Sequence, residues 1–230
     1  MKPISLGTNC YTKDVLKKCG YDKETDIFDW MNTFYFGSLI SSLENNFNIF
    51  DNIEVCKLPG EPYDNVIFNN LYNFRLPHDS EYWKNRDVVI EKYQRRFNRF
   101  LQYRIDNDNY LFIRTIRLDN QYGIEEESIL QQYSETNRLR INKFLPSNSI
   151  IVLLTDKKID SKVKEIVNKN YILLDEICHP EKIIYTGNKE EQERMLNLYN
   201  DFFCYCDEHF DELILKNTTT VINKILKVNI

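Results

Sequence analysis

The chain has 230 residues, of which 42% are hydrophobic and 28% charged, proportions that support a buried core and exclude a disordered polymer. A formal net charge of −5 argues against general nucleic-acid affinity. No run of roughly 18 apolar residues is present, which excludes a helical membrane span.

The first element predicted is a short strand at Ile4, Ser5 and Leu6 that breaks at Gly7. Residues 8–19 then read as a helix, with Thr8 or Asn9 as N-cap, Val15, Leu16 and Cys19 on one face and Gly20 past its end. Residues 34–50 carry Phe36, Leu39, Ile40, Leu43 and Phe47 at helical spacing, residues 59–62 form a loop, and residues 65–68 a strand. Residues 86–104 make the strongest helix, on a stripe of Val89, Ile90, Tyr93, Phe97, Phe100 and Leu101. Strand-like runs at 110–113, 149–154 and 171–174 alternate with helical patterns at 129–144 and 162–168, and a long helical stretch covers 190–216. The alternation predicts one α/β domain over residues 1–230, a mainly parallel sheet with helices on both faces. Ligands bind beyond the carboxyl ends of such strands, which singles out Gly7 to Cys10, Arg114, Asp156 and Asp175.

Alanine is absent and Asn, Ile, Lys, Tyr and Phe are abundant, a residue set that reflects AT-rich codons, as in an AT-rich organism or a large DNA virus. The N-terminus carries no secretory leader, so the six cysteines read as free thiols in a reducing compartment, the cytoplasm or, for a viral protein, a virion.

Cys10 stands out because a thiol at a helix N-terminus meets the positive end of the helix dipole, which favours thiolate, and backbone N–H groups able to hold an oxyanion. A thiol nucleophile needs a base, and the chain has three histidines, His78, His179 and His209. His78 lies in a loop ahead of the large helix, from which a side chain reaches the top of a sheet; His179 and His209 read as surface residues.

The segments Ser5-Leu6-Gly7-Thr8-Asn9-Cys10, Phe28-Asp29-Trp30, His78-Asp79 and Arg95-Arg96-Phe97-Asn98-Arg99-Phe100 together resemble a domain family of unknown function described as papain-like cysteine peptidases, found in bacteria and large DNA viruses. The likeness spans about residues 3–120. It implies a Cys10 nucleophile with His78 as its base. Papain-type enzymes place an oxyanion-hole glutamine six residues before the cysteine; here that position is Ile4, so Asn9 and the Cys10 N–H would form the hole. Asp79 is adjacent to His78 and poorly placed to orient it, which leaves Asp29 for that role.

Lys92, Arg95, Arg96 and Arg99 share about a third of the circumference of the 86–104 helix, a stripe that suits an anion or acid-paired solvent exposure. Gly7, Thr8, Arg95, Arg99 and Arg114 are accordingly the anion-binding candidates. Cys204, Cys206 and His209 point in different directions on a helix, and Asp106-Asn107-Asp108 reads as a turn, so no metal and no cofactor are expected. Three roles stay open. One is a cysteine-dependent hydrolase or acyl transferase acting on a peptide, amide or other small substrate. Another is a phosphate- or nucleotide-sugar-binding transferase using the Gly7 to Cys10 turn. The last is a non-catalytic structural or virion protein.

Overall fold

The structure is a computed structural model that describes residues 1–21, 24–56, 66–79, 82, 84–116, 126–177 and 180–216. The loop expected at 59–62, Asn65, Cys178 and His179 lie outside these residues.

Four strands, β1 (Lys2–Ser5), β6 (Tyr110–Thr115), β7 (Ser149–Leu154) and β8 (Ile172–Leu174), form a parallel sheet in that order. The central two, β6 and β7, are buried at every position, and each carries an apolar run of four or more residues, 110–113 and 150–154. Alternation still divides their side chains. Leu111, Ile113, Ile150, Val152 and Leu154 pack with Val15 and Leu16 of α1 (Tyr11–Lys18), with Ile183 of α7 (Pro180–Tyr185), and with Tyr199, Phe202 and Phe203 of α8 (Lys189–Glu208). Tyr110, Phe112, Ile151 and Leu153 face the opposite way, into a larger cluster built on α2 (Phe36–Glu44) and α3 (Arg86–Gln102). Helices thus cover both faces, as the alternation predicts.

Between α1 and β6 the chain builds a second sheet that the pattern of residues does not announce. Its strands β2 (Asn32–Thr33), β3 (Ile53–Cys56), β4 (Val66–Asn69) and β5 (Phe74–Leu76) are antiparallel in the order β2-β5-β4-β3. The run at 65–68 belongs here and not in the parallel sheet. Two of the four strands have two or three residues, too few for a period to show.

Helix boundaries also depart from the periodic reading for local reasons. Phe47 donates its N–H to the Ser42 carbonyl at 2.7 Å, and Asn46 and Phe47 adopt left-handed φ values of 54° and 55°, which ends α2 at Glu44. The stretch 129–144 is two helices, α4 (Glu126–Gln132) and α5 (Glu135–Ile141), because Ser134 caps the second by accepting the Asn137 N–H. The connection to β8 runs through α6 (Ser161–Val167), and the last stretch breaks at His209 into α8 and α9 (Phe210–Lys216). No helix among the described residues is long and apolar enough to cross a membrane.

Candidate active site

The turn between β1 and α1 is the most constrained backbone near the carboxyl edge of the parallel sheet. Gly7 and Thr8 have φ of 73° and 82°, and for a β-branched residue such as Thr8 that conformation costs of order 1–3 kcal/mol unless the surroundings enforce it. They do. The Thr8 N–H donates to Thr33 Oγ1 at 3.0 Å, the Thr8 hydroxyl donates to the Thr115 carbonyl at 2.6 Å, and the Thr33 N–H donates to the Thr8 carbonyl at 3.3 Å. A Cβ at position 7 would meet Thr33 Oγ1 at 2.5 Å, so only glycine fits.

This turn delivers Asn9 and Cys10 to the start of α1. Cys10 is the N-cap residue and half-buried, whereas the sequence suggests Thr8 or Asn9 as cap; Asn9 contributes its side chain, Oδ1 accepting the Tyr11 N–H at 3.2 Å. The other end of that amide is the notable one. Asn9 is 6% exposed, and its Nδ2 is a buried donor with no hydrogen-bond partner among the described residues.

The electrostatics of Cys10 run against the expected thiolate. Burial, then the Asp14 carboxylate one turn along the helix and, more weakly, Glu181, raise the thiol to about 11, while its own backbone N–H pulls the other way. The helix terminus does not overcome desolvation and two acidic neighbours. Cys10 therefore rests as a neutral thiol.

His78 arrives by a different route. Register between β2 and β5 pairs Asn32 with Arg75 and Thr33 with Phe74, and its continuation sets Trp30 opposite the short 3₁₀ turn Pro77–Asp79. The rings of Trp30 and His78 meet edge to face with centroids 5.0 Å apart. Partial burial is the first influence on the imidazole and holds its pKa below the ordinary value, with Asp79 and Asp14 acting in the opposite direction. Asp14 thus raises the pKa of both Cys10 and His78. The same β2 that fixes Thr8 is paired to the strand leading to His78.

Most of the remaining candidates are engaged elsewhere. Asp29, expected to orient His78, is 1% exposed and engaged elsewhere: Oδ2 lies 3.0 Å from Lys13 Nζ and accepts the Asp26 N–H at 2.6 Å. Burial, offset in part by Lys13, raises its carboxyl to about 6. Arg114, expected at an anion, is wholly buried. Its N–H groups go to Tyr133 Oη, the Leu6 carbonyl, Thr33 Oγ1 and the carbonyls of Thr33 and Phe34. A guanidinium so occupied is a rivet between the sheets and has no donor left for a ligand. Arg99 bonds the Thr25 carbonyl and pairs with Glu24 at 3.1 Å and Asp26 at 3.9 Å, the acid-paired outcome for this member of the stripe; Arg95 is exposed. Within the Gly7 to Cys10 turn, the Gly7 and Thr8 N–H groups are taken by Ser5 Oγ and Thr33 Oγ1, removing two of the donors that a bound phosphate would use. Asp175 accepts from Lys164 and the Ile159 N–H, and Asp156 pairs with Lys182 at 3.4 Å.

Sequence reasoning missed Trp30 as a lining residue and placed Arg96 only in the basic stripe of the 86–104 helix. With His78, Asp79 and Lys92 they enclose a cleft of about 260 Å³. Trp30 and Arg96 both sit inside motifs that are visible in the sequence, but only the β2–β5 register and the rotation of α3 show which members turn toward His78. Among the described residues there is no group of three or more His, Cys, Asp or Glu side chains able to hold a metal.

A model of the domain family described as "putative papain-like cysteine peptidase" matches residues 1–157, and the chain belongs to that family. No curated protein and no solved structure matches the chain.

Proposed function

We propose that this family member is a cysteine-dependent acyl-transfer enzyme, a hydrolase or transferase acting on a peptide, amide or thioester carbonyl. The observation that carries the reading is the Asn9 side chain: a buried N–H donor without an acceptor among the described residues, beside a cysteine at a helix N-cap, on a strained turn. An unsatisfied buried donor costs about 1–3 kcal/mol, a cost that is recovered when an oxyanion forms next to Cys10.

In this reading Cys10 Sγ attacks the carbonyl carbon while His78 takes the thiol proton. With the thiol raised to about 11 and the imidazole lowered, the resting pair is neutral, and the proton moves as the S–C bond forms. Asn9 Nδ2 and the Cys10 N–H hold the oxyanion of the tetrahedral intermediate. On its collapse the C–N or C–S bond to the leaving group breaks, and His78 returns the proton to the departing atom. Water or another nucleophile, deprotonated by His78, then releases the acyl group from Cys10. A simple activated ester tests the reading: p-nitrophenyl acetate should leave an acetyl group on Cys10 of the wild type and none at that position in Cys10→Ala.

A further inference from the structure

The cleft beside His78 carries a chemistry that the acyl-transfer steps do not use. Two cations, Lys92 and Arg96, face it together with one carboxylate, Asp79. Asp79 is buried, and both its oxygens are engaged, Oδ1 by the Lys92 ammonium and Oδ2 by the Tyr93 hydroxyl at 2.8 Å. Arg96 has no carboxylate partner among the described residues. Its guanidinium carbon lies 5.3 Å from the centroid of the Tyr93 ring, and its Nη1 is buried with no hydrogen-bond acceptor among the described residues.

Arg96 is half-buried, and leaving this one buried nitrogen of its charged group without an acceptor is costly. A carboxylate is the group that relieves it best, because its two oxygens match the guanidinium fork. Trp30 forms a flat apolar wall of the same cleft, suited to the carbon skeleton that bears such a group. We propose that this cleft is the specificity pocket of the site and binds a carboxylate of the substrate on Arg96, with Lys92 in support. The inference rests on the reading above, in that His78 makes the pocket adjoin the reacting bond. A carboxylate reaches the pocket from two sources, an acidic side chain or the carboxyl terminus of a peptide.

The experiment is calorimetric titration of the intact protein with three tetrapeptides of otherwise identical sequence. One carries Glu with an amidated terminus, one Gln with an amidated terminus, and one Gln with a free terminus. The pocket predicts that one acidic peptide binds at least about tenfold more tightly than the neutral one, and which of the two does so identifies the source. Arg96→Gln should abolish the difference and Arg96→Lys retain part of it, with thermal unfolding reporting that each variant is folded. Equal binding of all three peptides to the wild type overturns the proposal without recourse to any variant. So does absence of saturable binding up to about 10 mM, or a preference that survives Arg96→Gln. Acetylation of Cys10 by an uncharged ester reports on the reaction centre and peptide binding on the cleft, so either reading can fail while the other stands.

Discussion

Thr8 and Thr33 hold each other through two hydrogen bonds, the Thr8 N–H to Thr33 Oγ1 at 3.0 Å and the Thr33 N–H to the Thr8 carbonyl at 3.3 Å. Because Thr33 Oγ1 also accepts from Arg114 at 3.0 Å, one hydroxyl joins the turn before Cys10, the end of β6 and the antiparallel sheet that leads to His78. Thr33→Val should therefore cost about 2–3 kcal/mol through two unsatisfied buried donors. Gly7→Ala should cost at least as much, since a Cβ there meets Thr33 Oγ1 at 2.5 Å and φ is 73°. Denaturant unfolding of both variants checks this; midpoints equal to the wild type would contradict the assigned constraint.

The thiol of Cys10 should respond to Asp14. Burial is the first cause of its rise to about 11 and Asp14 the second, so Asp14→Asn removes one of three upward influences and leaves burial and the weaker Glu181. The thiol should then titrate lower by at least about 0.5, giving about threefold more thiolate at pH 8. Iodoacetamide labelling of Cys10 as a function of pH, with the exposed Cys204 as internal reference, measures it. An unchanged or raised profile would mean that Asp14 does not act on Cys10.

Asn9→Asp separates the two ends of the Asn9 side chain. The substituted carboxylate still offers an oxygen to the Tyr11 N–H, now held by Oδ1 at 3.2 Å, but has no N–H to donate. Acyl transfer should fall by about 10²–10³, with thermal unfolding reporting that the variant is folded. A variant that keeps its activity would remove Asn9 from the oxyanion site.

Much of the parallel sheet is legible in the sequence because β6 and β7 are built on apolar runs at 110–113 and 150–154. Cys10 and His78 are legible as types, a thiol at a helix start and one of few histidines. Their surroundings are not, since β2 and β5 are short and exist through pairing between distant segments. Arg114 illustrates the limit: its place at the end of a strand is correct, yet its side chain turns inward to five acceptors, and no pattern in the sequence distinguishes that from a ligand contact. Asp29 was likewise visible in a motif, but Lys13, which occupies it, looks like any helix-surface lysine.

The Lys13–Asp29 pair gives a pH signature. The Asp29 carboxyl titrates at about 6 in the folded protein against 3.8 ordinarily, with burial as the main cause. The folded state thus holds this proton more tightly than the unfolded state, so the contribution of Asp29 is fully present below about pH 4 and is lost as pH rises through about 6. Wild-type stability relative to Asp29→Asn should fall by about 3 kcal/mol across that window. Urea unfolding of both proteins at pH 4, 5, 6 and 7 measures the difference, and a flat difference contradicts it.

The central claim is that Cys10 is a nucleophile served by His78, and acetylation by p-nitrophenyl acetate at pH 7 tests it most directly. The reaction is quenched at intervals and each cysteine peptide read by mass spectrometry, for the wild type and for His78→Ala. Cys10 should acquire acetyl faster than the exposed Cys204, although its thiol is raised to about 11, because a neutral His78 accepts the proton during attack. His78→Ala should slow Cys10 by about 10² or more and leave Cys204 unchanged. A Cys10 that lags behind Cys204, or that is acetylated at the same rate without His78, would contradict the account.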